Sequence, residues 1–275
     1  MCGRFVSASS PERIAAYFGA TFEGETLGDN YNVAPTSDIY AVVVGSDGQP
    51  RFEVFHWGLI PVWAKERKLG QKMINARAET VATKPAYKGV FKKHRCLIPM
   101  DGFFEWQAGQ PGGPLTKAGK PAKQPMYIHR LDGEPLAVAG LWSAWKDPAA
   151  TGAEWLHSAA VVTTSANGTM SPIHDRMPVI LPRSAWDAWL DPTNQDVETL
   201  SGLLLPAPDT LLTVRAVSTD VNNVRNTGAS LIDEITPTEQ RAEPTAEPTA
   251  EPLPLPLDVN SANSRTCAPR SRIGW

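Results

Sequence analysis

The sequence predicts an α+β fold, mainly an antiparallel, barrel-like β-sheet with flanking helices in a single domain. Two observations carry that prediction. Many short runs are rich in β-branched and aromatic residues, and most are separated by turn-type residues rather than by helical crossovers. The chain has 275 residues, 42% of them hydrophobic, enough for a real core in one large or two modest domains.

Taken in order, Ser9-Ser10-Pro11-Glu12-Arg13 starts a helix, with Ser10 as N-cap and Pro11 at the first helical position, and Gly19 ends it. Ile14, Tyr17 and Phe18 form its apolar face, and the helix is expected to pack beside the N-terminus and steady it. Tyr31-Asn32-Val33-Ala34-Pro35-Thr36 is short and proline-broken and reads as a shaped loop. Runs 39–45 and 51–58, joined by Ser46-Asp47-Gly48, form a β-hairpin. The hairpin leads into Trp57-Gly58-Leu59-Ile60-Pro61-Val62-Trp63, a rigid aromatic stretch. Asn75-Ala76-Arg77-Ala78-Glu79-Thr80 is expected to open a short helix with Asn75 near its cap.

Strands are expected over 95–99, 102–107, 126–131, 136–142, 155–164, 179–181 and 211–217. Helices are expected over 184–190 and 196–205, and a polar closing loop over 221–226. From Thr236 the character changes: Ala-Glu-Pro-Thr recurs, then Leu253-Pro254-Leu255-Pro256. Proline at that density prevents helix and central strand alike, so the division is a folded domain 1–235 and a disordered tail 236–275.

No apolar run is long enough to span a bilayer and no leader pattern opens the chain, so a cytoplasmic protein is expected. The cysteines, at 2, 96 and 267, have neither the even count of a disulfide framework nor metal-site spacing; no metal or cofactor is implied. Cys96, in an apolar run, reads as a buried inert thiol. A net charge of −3 gives no global attraction to nucleic acid. The segment 64–95 is nonetheless basic, with Lys65, Arg67, Lys68, Lys72, Arg77, Lys84, Lys88, Lys92, Lys93 and Arg95 against Glu66 and Glu79. Trp57, Trp63 and Tyr87 are interleaved with those charges, which favours nucleic acid over a merely solvated helix face.

The chain opens Met1-Cys2-Gly3-Arg4. Removal of Met1 would make Cys2 the N-terminus, a 1,2-aminothiol with an amine of pKa about 7.7–8 and a thiol of about 8.5. Such a pair captures one aldehyde carbon twice, first as a Schiff base and then by thiol addition to a thiazolidine. Cys2 therefore points to covalent carbonyl chemistry, the alternative being an incidental residue on a frayed end.

Glu105 lies among aromatics in Gly102-Phe103-Phe104-Glu105-Trp106. If buried it sits in poorly solvated surroundings suited to general acid/base work; strand alternation leaves open that it faces solvent. His174, between two prolines and beside Asp175 and Arg176, suits a proton shuttle. Asn75 and Arg77 offer an amide and a guanidinium to orient a polar substrate and clamp a phosphate, to which Arg4 and Arg176 could add contacts. Trp63 and Trp106 could stack on bases, although with nine tryptophans most must be core.

The pattern resembles the SOS-response-associated peptidase family, also called the abasic-site processing proteins. The resemblance runs through Met1-Cys2-Gly3-Arg4-Phe5, Tyr31-Asn32-Val33-Ala34-Pro35, Trp57-Gly58-Leu59-Ile60-Pro61, Asn75-Ala76-Arg77, Gly102-Phe103-Phe104-Glu105-Trp106, Ile173-His174-Asp175-Arg176-Met177-Pro178 and Asn223-Val224-Arg225-Asn226, in order over 1–235. It implies a sensor of abasic sites in single-stranded DNA; a monomer, cytoplasmic and nucleoid-associated when bound, is the expectation for the chain. Members remove their own Met1, and Cys2 then links to the ring-opened abasic sugar as a thiazolidine. The resemblance gives Asn75 the sugar or the terminus to orient, Glu105 the proton transfers of Schiff-base formation and His174 ring opening and reversal. Thr163 would line the pocket, Arg4, Arg77 and Arg176 would hold flanking phosphates, and Pro35 and Trp63 would splay the neighbouring bases.

Three other readings compete. An N-terminal-nucleophile hydrolase and a cysteine peptidase would both turn Cys2 on an amide, and a non-catalytic DNA reader would use only the arginines and Trp63.

Overall fold

The Asp47-Gly48 turn behaves as expected: Gly48 takes φ 77°, and the Gly45 N–H donates to Gln49 O at 3.1 Å, folding a hairpin. In the computed structural model, residues 2–22, 24–109, 112–116 and 118–235 are described. The expected disordered tail and Cys267 lie outside the described residues. The strands are β1 (Phe5–Ser7), β2 (Thr21–Phe22), β3 (Asn30–Val33), β4 (Asp38–Val44), β5 (Pro50–Trp57), β6 (Asn75–Arg77), β7 (Arg95–Met100), β8 (Gly102–Gln107), β9 (Gln124–Arg130), β10 (Leu136–Trp145), β11 (Leu156–Ser165), β12 (Arg176–Pro178) and β13 (Leu212–Ala216). The α-helices are α1 (Pro11–Phe18), α2 (Lys88–Lys93), α3 (Trp186–Leu190) and α4 (Val197–Gly202).

Antiparallel pairs link β5 to β4, β4 to β7, β7 to β10 and β10 to β11, and a parallel pairing of Ser158 with His56 and Ala159 with Trp57 joins β11 back to β5. These five strands thus close into a barrel, which leaves no free edge between them. A second, wholly antiparallel sheet runs β13-β9-β8-β1-β3.

Strand alternation sorts the core into two main clusters. Tyr40, Val42, Phe52, Leu97, Leu141 and Val162 join Phe91, Trp186 and Trp189 of the helical side. The alternate residues Ile39, Ala41, Phe55, Trp57, Ile98 and Val161 join Phe5, Phe103 and Ile128 of the second sheet, and Cys2 belongs to this cluster. Phe5 and Phe103 are fully buried, worth roughly 1.5–3 kcal/mol each.

Helix α1 is capped as expected: Ser10 Oγ accepts from Arg13 N–H at 3.3 Å and Gly19 ends it at φ 64°. It packs, however, into the helical-side cluster, Phe18 stacking on Trp186 at 4.8 Å, so it does not steady Cys2. That task falls to β1, held between β8 and β3.

Other expectations are corrected. Asn75–Arg77 is a strand, not a helix start, because it adds in parallel to β11 with Asn75 opposite Val161 and Arg77 opposite Thr163. Asn30–Val33 is likewise a strand, paired through Val33 with Phe5, where a loop was expected; the loop begins at Ala34. The strand expected over 179–181 lies instead at Arg176–Pro178, and the chain then crosses from β11 to β10, Val179 N–H donating to Val162 O and Leu181 N–H to Ala137 O, both 2.9 Å. The helix expected over 184–190 opens with a 3-10 turn at Arg183–Ala185.

Candidate functional site

Three elements converge on Cys2. Antiparallel register sets Phe5 opposite Phe103, and the Phe104 N–H donates to Arg4 O at 2.9 Å, which carries Glu105 to the level of Gly3. Glu105 shares the Phe103 face of β8 and is buried, so the alternative in which it faces solvent is excluded. From the barrel side, Asn75 Nδ2 donates to the Cys2 backbone carbonyl at 2.8 Å. Asn75 is itself fixed by the Tyr87 hydroxyl, which donates to Asn75 O at 3.0 Å, and by the Trp57 indole, which donates to the preceding Ile74 O at 3.1 Å. The Asn75 Oδ1 atom is buried with no hydrogen-bond partner.

The Cys2 side chain is fully buried. Burial pushes its thiol well above the ordinary cysteine range, and the neighbouring Glu105 carboxylate pushes it further. At neutral pH the thiol keeps its proton, which disfavours a resting thiolate and leaves an unblocked α-amine as the better first nucleophile. Cys96, also buried and raised by burial, fits its reading as an inert thiol.

Thr163, fully buried on β11, lies opposite Arg77 on one side and Pro178 on the other. Arg176 donates from Nη2 to Thr163 O at 2.7 Å and forms a two-toothed pair with Glu79, with Nη2 to Oε2 at 3.0 Å. Arg176 therefore staples the 171–178 loop to the segment carrying Asn75 and Arg77, and this guanidinium holds the Glu79 carboxyl below the usual range. His174 Nδ1 accepts from the Arg176 backbone N–H at 3.0 Å and lies 2.8 Å from Asp175 Oδ1. The ring nitrogen thus faces a fixed backbone donor and an exposed carboxylate at once, which places His174 between a donor and an acceptor. Ile173, beside it, packs against the cluster that holds Cys2.

Arg4 turns to the other face. Its Nη1 donates to Asn32 Oδ1 at 2.7 Å and to Val221 O at 2.8 Å, and its guanidinium lies 5.7 Å over the Trp106 ring. Trp106 Nε1 donates to Asn222 Oδ1 at 2.7 Å, while Asn32 Nδ2 reaches the carbonyls of Val221, Asn223 and Asn226. Arg4, Asn32 and Trp106 thus lock the closing loop onto the N-terminal strand.

Pro35 sits in the turn Ala34–Ser37, closed by Ser37 N–H to Ala34 O at 3.2 Å, with Thr36 at φ 72° where glycine is usual. Trp57 braces that turn, its carbonyl accepting from Thr36 N–H at 2.9 Å. Trp63 is 60% exposed and Arg77 is exposed, both open to a partner. The sequence reading missed Asn32, Trp57 and Tyr87 as supports, and Glu79 as the partner of Arg176. A polar residue in an apolar run, as in Tyr31-Asn32-Val33, was the available signal for Asn32. Among the described residues no group of three or more His, Cys, Asp or Glu could hold a metal, and no helix is long and apolar enough to cross a membrane.

The family model described as SOS response associated peptidase matches residues 1–224. The abasic site processing protein YoaM of Bacillus subtilis is 38% identical over 236 residues, covering 85% of this chain and 98% of that protein. YedK of Escherichia coli, of the same description, is 30% identical over 244 residues, covering 86% and 100%. HMCES of Xenopus tropicalis, also an abasic site processing protein, is 39% identical over 199 residues, 67% of this chain but 58% of that protein. A crystal structure of a protein from Bacteroides thetaiotaomicron superposes with a TM-score of 0.73 at 25% identity, covering 86% of this chain and all of that one. The chain belongs to the SOS response associated peptidase family.

Proposed function

We propose that residues 1–235 form a sensor of abasic sites in single-stranded DNA that becomes covalently joined to the lesion through Cys2. The observation that carries this reading is the held Cys2: its carbonyl anchored by Asn75, its protonated thiol beside the Glu105 carboxylate. Hydrolysis of the Met1–Cys2 peptide bond, promoted by this same site, frees the α-amine. The amine then adds to the C1 aldehyde of the ring-opened deoxyribose, and loss of one water gives a Schiff base. The Cys2 S–H adds across that C=N bond, sulfur to carbon and hydrogen to nitrogen, closing a thiazolidine. Glu105 shuttles protons in both steps, and His174 assists opening of the sugar and reversal. Removing the imine removes the electron sink that β-elimination needs, so the strand is shielded rather than cut.

Arg77 and Arg176 lie beside Thr163 and would meet phosphates, Arg176 after exchanging Glu79 for one. Arg4 would reach a phosphate only from within its clamp on the closing loop. Pro35 and Trp63 would part the bases on either side of the lesion, favouring single strands. Such a protein acts wherever the DNA is, as a monomer at the nucleoid. A peptidase acting on other chains is the weaker reading, because a thiol raised by burial and by a carboxylate is a poor resting nucleophile.

The test is denaturing electrophoresis of the protein with labelled single strands. One carries an abasic site, one a tetrahydrofuran analogue with no aldehyde, and one is undamaged. A retarded band with the first alone supports the proposal; the same band with the analogue, or none with any strand, refutes it.

A further inference from the structure

A surface that takes in Trp63 and extends to Trp155 surrounds a small satellite core. Ile60, Ala64 and Trp145 are buried together, with Leu69 and Leu156 packed against them, and Trp145 Nε1 donates to Ala64 O at 2.7 Å. Three chain segments meet there: the turn before Ala64, the 3-10 segment Arg67–Lys72, and the paired ends of β10 and β11, where Trp145 faces Leu156. Several residues close to these along the chain are exposed, among them Trp63 and Lys65 beside Ala64, Lys146 beside Trp145 and Trp155 beside Leu156. Val62 is 69%, Trp63 60% and Trp155 60% exposed, an unusual concentration of large apolar side chains. Lys146 lies 5.4 Å over the Trp155 ring. A cavity of about 350 Å³ opens between Lys65, Lys68, Leu69 and Lys72. The acid that borders it, Glu66, is already paired with Lys68.

Basic side chains around exposed indoles match single-stranded nucleic acid, whose backbone needs cations and whose unstacked bases need flat apolar faces. The match is the more telling because the whole chain has a net charge of −3. An acidic protein partner would be met by the lysines but would leave two indoles in water. We infer that Trp155, Lys146 and the lysines at 65, 68 and 72 form a second single-strand contact, which holds the flanking strand beyond the lesion. The inference rests on the DNA-binding reading above and gives it a reach. From Thr163 back to Trp155 the chain is eight residues of β11 and its approach, at most about 26 Å at roughly 3.3 Å per residue. That distance is about eight nucleotides at the 3.4 Å stacking interval of one strand.

The test uses the full chain and fluorescein-labelled, undamaged oligothymidylates of about 6 and 20 nucleotides, chosen to bracket that reach, with affinity read by anisotropy at several salt concentrations. The longer strand is expected to bind at least tenfold more tightly. Lys65→Gln with Lys68→Gln and Lys72→Gln should lower the salt slope by about 2, at roughly 0.7 per single-strand phosphate. Trp155→Ala should weaken the longer strand about fivefold or more while Trp155→Phe restores it, since base stacking tolerates any aromatic ring. These side chains are exposed, and unchanged melting of the variants establishes that the fold is intact. Equal affinity and salt slope for wild type and variants on the longer strand would overturn the inference. In parallel, a short strand with one central abasic site should crosslink equally to all of them. If no chain, wild type included, yields a covalent product while the long-strand effects persist, the crosslinking reading fails and this surface stands.

Discussion

Asn75 grips Cys2 by the backbone and not by the thiol: its Nδ2 donates to the Cys2 carbonyl at 2.8 Å while its Oδ1 remains buried and unpartnered. A buried amide oxygen without a donor is costly, of order 1–3 kcal/mol, and such groups concentrate where a substrate or a newly freed amine supplies the donor. Asn75→Ala and Asn75→Asp should therefore slow crosslink formation about tenfold to a hundredfold, by the loss of one to two such hydrogen bonds. Single-turnover time courses on an abasic strand measure this, and a rate within twofold of wild type would remove Asn75 from the site.

Cys2→Ala keeps an α-amine but has no thiol to close the ring. It should give no heat-stable adduct, yield instead a Schiff base that borohydride traps, and cut the strand by β-elimination. The same gel resolves all three products. An equal yield of heat-stable crosslink from the variant would rule out the thiazolidine.

The buried thiols set an alkaline limit to stability. Burial raises the Cys2 and Cys96 thiols above the ordinary cysteine range, and it also raises Tyr87 to about 12. Above pH 9 the unfolded chain releases thiol protons that the folded chain keeps, so the folded state binds more protons and stability falls as pH rises. The contribution is fully present below pH 9 and declines at up to about 1.4 kcal/mol per pH unit per group. Urea melts at pH 7.5, 9 and 10 should show the decline, and Cys96→Ala should lessen its slope by about one proton irrespective of any change at neutral pH.

Gly58 takes φ 131°, and a Cβ there would lie 2.6 Å from Gly70 O. Its backbone also ties β5 to β11, Gly58 N–H donating to Ala159 O at 2.8 Å, on the strand that carries Thr163. Gly58→Ala should destabilise the fold by about 2 kcal/mol or more, strain and clash together. Chemical denaturation checks this, and a loss under 0.5 kcal/mol, the usual limit for a neutral surface change, would contradict it.

Long elements with their own pattern were legible before the fold was seen. The hairpin around Asp47-Gly48, the capped helix from Ser10 to Gly19 and the strand 102–107 all stand where local signals put them. What local signals could not reach were strands that exist only through a distant partner. Asn75–Arg77 and Asn30–Val33 have three and four residues, too few to show a period, and are strands because β11 and β1 supply the hydrogen bonds. The site divides in the same way. Cys2, Glu105 and Asn75 carry distinctive chemistry and meet in space, whereas the Tyr87, Trp57 and Glu79 supports follow from tertiary contacts alone.

The central claim is that Cys2, freed of Met1, takes up one aldehyde carbon through both its amine and its thiol. Intact mass of the purified protein, before and after incubation with a single-stranded oligonucleotide bearing one abasic site, tests it directly. The expected result is a starting mass lacking one methionine, then a denaturation-stable adduct at the summed mass of protein and oligonucleotide less one water. A chain that retains Met1, or one that loses it and forms no adduct, would contradict the account.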